Sequence, residues 1–295
     1  MSKPDLIPLR EAAEARDNPM VWDGEEQASG VFLDTADALD LLGTPSMALP
    51  AQPKLPPDFQ VGEQLRATLA QLRAAMREVA SGAVAARCVD MKNLDELSLQ
   101  ALLEMLGEGE VCGELSLDGV GYRVSESLLP GLWRLRGDNG AHWLEVGPVP
   151  SLVEEAAGSL RPAPVPVPVA SPPGVMNGLA VLAEINEHAA TWQPGDQANR
   201  VLNFTLMPMS PEDQQLLLHA LGRAELVLES GGFGNCRVMA TTVRHVWAVQ
   251  YLNAMGNIIL DTMEIGRIPD AVLAAPQDLE DSACRLDDIL QAYLS

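Results

Sequence analysis

The sequence predicts an α+β fold: two tandem copies of a helix–strand–helix–three-strand unit with antiparallel or mixed sheets, preceded by an irregular acidic arm. Three observations predict it. Hydrophobic periodicity switches from helical to alternating in the same order in two stretches of the chain. Marker residues recur across those stretches: Gly107 precedes Trp133 by nearly the distance that separates Gly222 from Trp247. A proline-rich spacer lies between them, RPAPVPVPVASPPG at residues 161–174, with six prolines.

The expected organisation follows the chain. Residues 1–60 are broken by eight prolines and read as a largely irregular acidic arm, with 43–57 as an extended connector. Within the arm, VFLDTADALDLLG has the apolar content of a short helix or docking segment. Residues 61–160 form the first repeat. Leu65, Leu69, Leu72, Met76 and Val79 recur at helical spacing over about 62–81. AARCVDM is a short strand, and Leu97 to Leu106 mark a second helix stopped by Gly107. Three strand candidates follow, GEVCGELSL, YRVSESLLPGLWRLR and HWLEVG, separated by the turn signals DGVG and GDNG. Alternating proline and small apolar residues then favour a semi-rigid polyproline II spacer over 161–174, which sets the domain boundary.

The second repeat, 175–295, has the same order. Leu179, Leu182 and Ile185 mark its first helix and RVLNFTLM its first strand. Ser210 followed by Pro211 opens a second helix, with the hydroxyl as cap and proline at the first helical position. Strands at AELVLES, CRVMATTVRHVWAVQYL and NIILDTMEIG lead to a C-terminal helix beginning near Pro276. Short hairpin turns between the strands imply helices on one face of each sheet.

Charge and composition exclude several function classes. There are 41 acidic and 19 basic residues, a net of −22, and no basic stripe to gather nucleic-acid counterions. No apolar run approaches the roughly 18–20 residues of a membrane span. The N-terminal MSKPDLIPLREAAEARD lacks the apolar core of an export signal, so a cytoplasmic protein is expected. Cys88, Cys112, Cys236 and Cys284 are too far apart in sequence to supply the closely spaced ligand pairs of zinc or iron–sulfur sites. His142, His188, His219 and His245 are equally scattered. LGEGEV and SGGFGN are glycine-rich, but neither opens a phosphate-cradling helix. Nothing joins a nucleophile, a base and an orienting group, so no catalytic residue, metal ligand or cofactor is assigned and the chain is read as no enzyme.

What remains are two candidate partner-binding surfaces. Arg134 and Arg136 should share one face of their strand, opposite Trp133 and Leu135. Arg244 and Val246 should likewise oppose His245 and Trp247. Tryptophan and arginine dominate interface energetics, which makes Trp133, Arg134, Arg136, Arg244, His245 and Trp247 the candidate contacts. The alternative for these residues is tryptophan as core and arginine as surface ion pair.

LGEGEV, GLWRLR, GVMNGLAVLAEI, RHVWAVQ and VLAAPQDLEDSACRL resemble the hydrogenase-expression proteins called HupH, HyaF or HoxQ. The resemblance spans both repeats, roughly 62–295, with 175–295 resembling the C-terminal type of domain in that family. It implies a cytoplasmic accessory factor for uptake nickel–iron hydrogenases. Such a factor would act on the precursor of the small, iron–sulfur subunit before twin-arginine export, alongside a thioredoxin-like accessory protein. A rival expectation is direct work in iron–sulfur cluster assembly, with the cysteines as transient ligands or reductants.

Overall fold

The computed structural model describes residues 61–195, 198–231 and 234–294. The expected arm and its VFLDTADALDLLG segment lie outside the described residues. Helix α1 (Glu63–Ala80) turns Leu65, Leu69, Leu72, Met76 and Val79 inward, as their spacing predicts. Each such side chain contributes roughly 1.5–3 kcal/mol when fully buried. After β1 (Arg87–Asp90), helix α2 (Glu96–Leu106) starts where the Asp95 carboxylate accepts the Ser98 N–H at 2.8 Å and stops at Gly107. Strands β2 (Val111–Leu117), β3 (Val120–Glu126), β4 (Leu132–Gly137) and β5 (His142–Val146) follow, then α3 (Ser151–Ser159).

Beyond the spacer come α4 (Gly178–Thr191), β6 (Arg200–Asn203) and α5 (Pro211–Leu221). Strands β7 (Leu226–Ser230), β8 (Asn235–Ala240), β9 (Val246–Leu252) and β10 (Ile258–Ile265) lead through a 3-10 turn (Asp270–Val272) to α6 (Pro276–Leu294). The Ser210–Pro211 start of α5 is a full capping box: Ser210 Oγ accepts the Asp213 N–H, and Asp213 Oδ2 accepts the Ser210 N–H. No helix among the described residues is long and apolar enough to cross a membrane.

The ten strands form one sheet in the order β1-β5-β4-β3-β2-β7-β8-β9-β10-β6, and every ladder between them is antiparallel. The order after the β2–β7 junction mirrors the order before it. At that junction Gly113 pairs with Leu228, and a Cβ on Gly113 would lie 2.3 Å from the Val227 carbonyl oxygen. The bare α-carbon is therefore what lets the two halves of the sheet meet.

Each half carries four strands after its second helix, not the expected three. The middle strand candidate is broken twice, at Ser127–Gly131 and at Thr241–His245. The two breaks share their hydrogen bonds. Ser127 Oγ and Thr241 Oγ1 each accept the N–H two residues on, from Leu129 and Val243, at 3.1 Å. Leu132 N–H donates to Leu129 O and Val246 N–H to Val243 O. Each turn then takes a left-handed residue, Gly131 at φ 81° and His245 at φ 67°. Glycine adopts that conformation freely; at His245 it is strained.

The helices cover both faces, against the expectation of one. Helices α1, α2 and α6 close a core over Val89, Leu132, Leu144 and Val146 in the first half of the sheet. On the same face α4 and α5 cover Leu202, Met239, Ala248 and Met263 in the second. The opposite face is continuous across both halves, with Trp133, Leu135, Leu228, Val238, Trp247 and Val249 under α3 and the 3-10 turn. The C-terminal helix thus packs on the first half: Arg73 and Arg77 of α1 both bind Asp287 of α6, at 2.6 and 2.5 Å. The proline-rich segment is packed as well. Val165 is buried and exchanges two hydrogen bonds with the Asn186 amide of α4, at 2.7 and 2.8 Å.

The first turn contains a buried acid. Glu126 is 7% exposed, accepts the Gly131 N–H at 2.9 Å, and is raised from the usual 4.5 to about 7, chiefly by burial. A carboxyl whose folded pKa is raised favours the native state below the unfolded value. That contribution fades as pH rises through the folded value. The loss between about pH 4.5 and 7 is on the order of 3 kcal/mol. Glu126→Gln keeps an acceptor for Gly131 and removes the titration. Urea melts of both proteins from pH 5 to 8 should show the variant gaining on the wild type as pH rises; parallel profiles would contradict the assignment.

Candidate partner-binding surface

On the face that carries α2 and α5, the strands between the two helical layers are open. Two adjoining concavities run across them. The first, of about 580 Å³, lies between α2 and the floor of β3–β5. The second, of about 970 Å³, lies over the β2–β7 junction, and the two share Arg136 and Gly137 in their linings.

Register explains the floor. Arg136 stands opposite His142 on β5 and Arg123 on β3, and Arg123 stands opposite Glu114 on β2. Arg123 binds Glu114 at 2.7 Å. In the other half Arg237 binds Glu229 at 2.9 Å across β8 and β7, in the matching position. These two ion pairs flank the junction and belong to the floor of the larger concavity. The Arg123–Glu114 pair is largely exposed and contributes only about 0–1 kcal/mol; Arg237 is more covered, with its side chain 26% exposed.

The smaller concavity is built differently. Arg134 Nε donates to His142 Nε2 at 3.1 Å, a bond that needs a neutral imidazole. Burial and then the neighbouring Arg134 and Arg136 push the His142 pKa down, which favours that state. Burial and Arg136 also lower Arg134, while Glu108 acts against them. Arg136 is exposed. The opposite wall is α2, with Leu99 and Leu103 beside Glu96 and Glu104.

The six sequence candidates part company. Arg134 and Arg136 share a face and open onto the groove, as the alternation of β4 predicts. Trp133 and Trp247 are 0% and 2% exposed and sit in the core of the opposite face. Trp133 donates its indole N–H to Gly147 O at 2.9 Å, so neither ring offers a contact surface and the core alternative describes both. Arg244 and His245 are in a turn, not on an alternating strand. Arg244 reaches back to Leu160 O at 3.2 Å, and its backbone N–H donates to Arg161 O. His245 lies against Trp192, with ring centres 4.2 Å apart and the rings tilted by 36°. The sequence reading missed His142, which joins Arg134 and Arg136 only through the β4–β5 register. Its place in a strand one short turn after GLWRLR was the available signal.

The thiols are dispersed. Cys236 is buried and raised to about 12 by burial. Burial and then Glu145 raise Cys88; burial and then Glu229, Glu108 and Glu114 raise Cys112. A thiol held protonated is a poor nucleophile and a poor metal ligand. Among the described residues, no three His, Cys, Asp or Glu side chains gather in a metal-holding group.

Fold and surface together define an α+β protein built on one antiparallel sheet, with a charged trough across its centre. The chain belongs to the HupH/HoxQ/HyaF family of hydrogenase expression proteins. The C-terminal conserved region of HupH hydrogenase expression proteins matches residues 175–293. The hydrogenase expression/formation protein HupH of Rhizobium leguminosarum bv. viciae is 42% identical over 213 residues, covering 70% of this chain and 74% of that one. HoxQ of Cupriavidus necator is 37% identical over 212 residues, covering 69% and 72%. The hydrogenase-1 operon protein HyaF of Escherichia coli is 33% identical over 215 residues, with the same coverage. The family resemblance expected from GLWRLR, RHVWAVQ and the other segments is therefore correct.

Proposed function

We propose that this chain is a non-catalytic scaffold in nickel–iron hydrogenase maturation. It holds the immature iron–sulfur small subunit on the cytoplasmic side until twin-arginine export, together with a thioredoxin-like accessory protein. The observation that carries this reading is the relationship to hydrogenase expression/formation proteins over both halves of the chain. The open trough, which carries charge but no nucleophile–base pair, supports a binding role. We read residues 61–160 and 175–295 as two copies of one α+β unit; the matched turns at Ser127–Gly131 and Thr241–His245 support that reading.

The rival, a cluster carrier or reductant using the four cysteines, makes a different prediction. A full-length variant carrying Cys88→Ser, Cys112→Ser, Cys284→Ser and, at the buried position, Cys236→Ala separates the two. The scaffold keeps its capture of the small-subunit precursor and supports hydrogenase activity in cells at wild-type level. A carrier loses hydrogenase activity while the precursor still binds. That second result would overturn the scaffold reading.

A further inference from the structure

We infer that the groove between α2 and β4 is a carboxylate-binding site for an acidic, apolar peptide segment of the partner, with Arg134 and Arg136 as its anchors. The inference rests on the scaffold reading and names the chemistry of its surface. Among the described residues Arg73, Arg77, Arg87, Arg123, Arg200, Arg237 and Arg267 each hold a carboxylate within 2.9 Å. Arg134 and Arg136 hold none. Arg66, Arg161 and Arg244 turn to backbone carbonyls instead, whereas Arg134 and Arg136 stand side by side on one face of β4 and line the groove. They repel each other, and Arg134 is half-buried against a neutral imidazole. An arrangement that costs stability in the free protein is relieved by an incoming anion.

The second half of the molecule supplies an internal comparison. Counting from the matched turns and tryptophans, Arg134 corresponds to Ala248 and Arg136 to Gln250. There Ala248 is fully buried under α4 and α5, and Gln250 donates to Asp261 at 3.4 Å. The same strand position is closed in one half and open and cationic in the other. With His142 neutral, the floor carries two positive charges, suited to one carboxylate gripped through the planar forks. Glu96, Glu104 and Glu108 on the wall and rim repel further negative charge, which limits the occupant to a single carboxylate on the two guanidiniums and opposes a polyphosphate backbone or a run of acidic residues. Leu99 and Leu103 offer the apolar residue beside the carboxylate a place to pack.

The test uses the full chain with two probes, N-acetyl-Leu-Asp-Leu-amide and N-acetyl-Leu-Asn-Leu-amide, and inorganic phosphate as a third. Binding is read from the His142 imidazole proton signals. The aspartyl peptide should shift them saturably, and the asparaginyl peptide should bind about tenfold more weakly or worse. Arg136→Gln, at an exposed position without a carboxylate, should lose the same factor with an unfolding midpoint no lower than that of the wild type. Equal binding of the two peptides, no saturable shift, or tighter binding of phosphate would overturn the inference. So would an Arg136→Gln protein that loses the peptide yet captures the small-subunit precursor as well as wild type, an outcome that leaves the scaffold reading standing. Failure of the wild type to capture the precursor would remove that reading itself.

Discussion

Replacing Asp213 by alanine should destabilise the protein by on the order of 4 kcal/mol, because several inward-facing N–H groups lose their acceptor together. The carboxylate is fully buried. Its Oδ1 accepts the N–H groups of Met176, Asn177 and Gly178 at 2.8, 3.0 and 2.7 Å, and Oδ2 accepts Ser210 at 2.9 Å. One side chain therefore closes the start of α4 and caps α5, fixing the exit of the proline-rich segment against both. Burial alone would raise its pKa. The N–H groups of Ser210, Gly178, Asn177 and Met176 outweigh it, and the pKa is held below the usual 3.8. For a depressed carboxylate, the stabilising contribution is present above the unfolded pKa and lost as pH falls through the folded one. Wild type should lose this contribution below about pH 4, a loss that Asp213→Asn should lack. Chemical denaturation at pH 7 and pH 3 measures both effects. A loss below about 1 kcal/mol for the alanine variant would contradict the assigned role.

Trp133→Ala should cost roughly 3–5 kcal/mol, the range for emptying a fully buried aromatic site. The tryptophan pair also allows a finer comparison. Trp133 donates to Gly147 O, whereas the buried Trp247 indole N–H has no acceptor among the described residues. Exchange for phenylalanine leaves a carbonyl unpaired at the first site and removes an unpaired donor at the second. Trp133→Phe should therefore be less stable than Trp247→Phe by roughly 1–2 kcal/mol in urea melts. Equal losses would mean that the indole bond to Gly147 adds nothing.

Much of this architecture is legible in the chain because local rules and tertiary contacts agree. The apolar ladder of α1, the Ser210–Pro211 start of α5 and the alternation of Trp133, Arg134, Leu135 and Arg136 all appear where the sequence predicts them. The four-strand count was hidden by apolar side chains within the turns. Leu128, Leu129 and Val243 extend the hydrophobic run through the bends, and His245 takes a conformation that favours glycine. Pro130–Gly131 is a turn signal inside the strand candidate YRVSESLLPGLWRLR, masked by the apolar residues on either side of it. Trp133 and Trp247 read as interface anchors because strand alternation gives the face of a side chain but not what covers that face. The crossing of α6 onto α1 depends on contacts distant in sequence, such as Arg73–Asp287, that no periodicity reports. The groove is the same kind of case. Arg134, Arg136 and His142 meet through the β4–β5 register and remain open because α2 does not extend over them.

The most direct test of the scaffold account is capture from cells. Full-length tagged chain would be purified from cells producing the hydrogenase small-subunit precursor, with and without its leader peptide, and the complex read by mass and iron content. The account predicts a complex with the precursor, no iron on this chain alone, and the same result for the cysteine-free variant. No complex, or iron that stays with this chain and disappears with its cysteines, would contradict it.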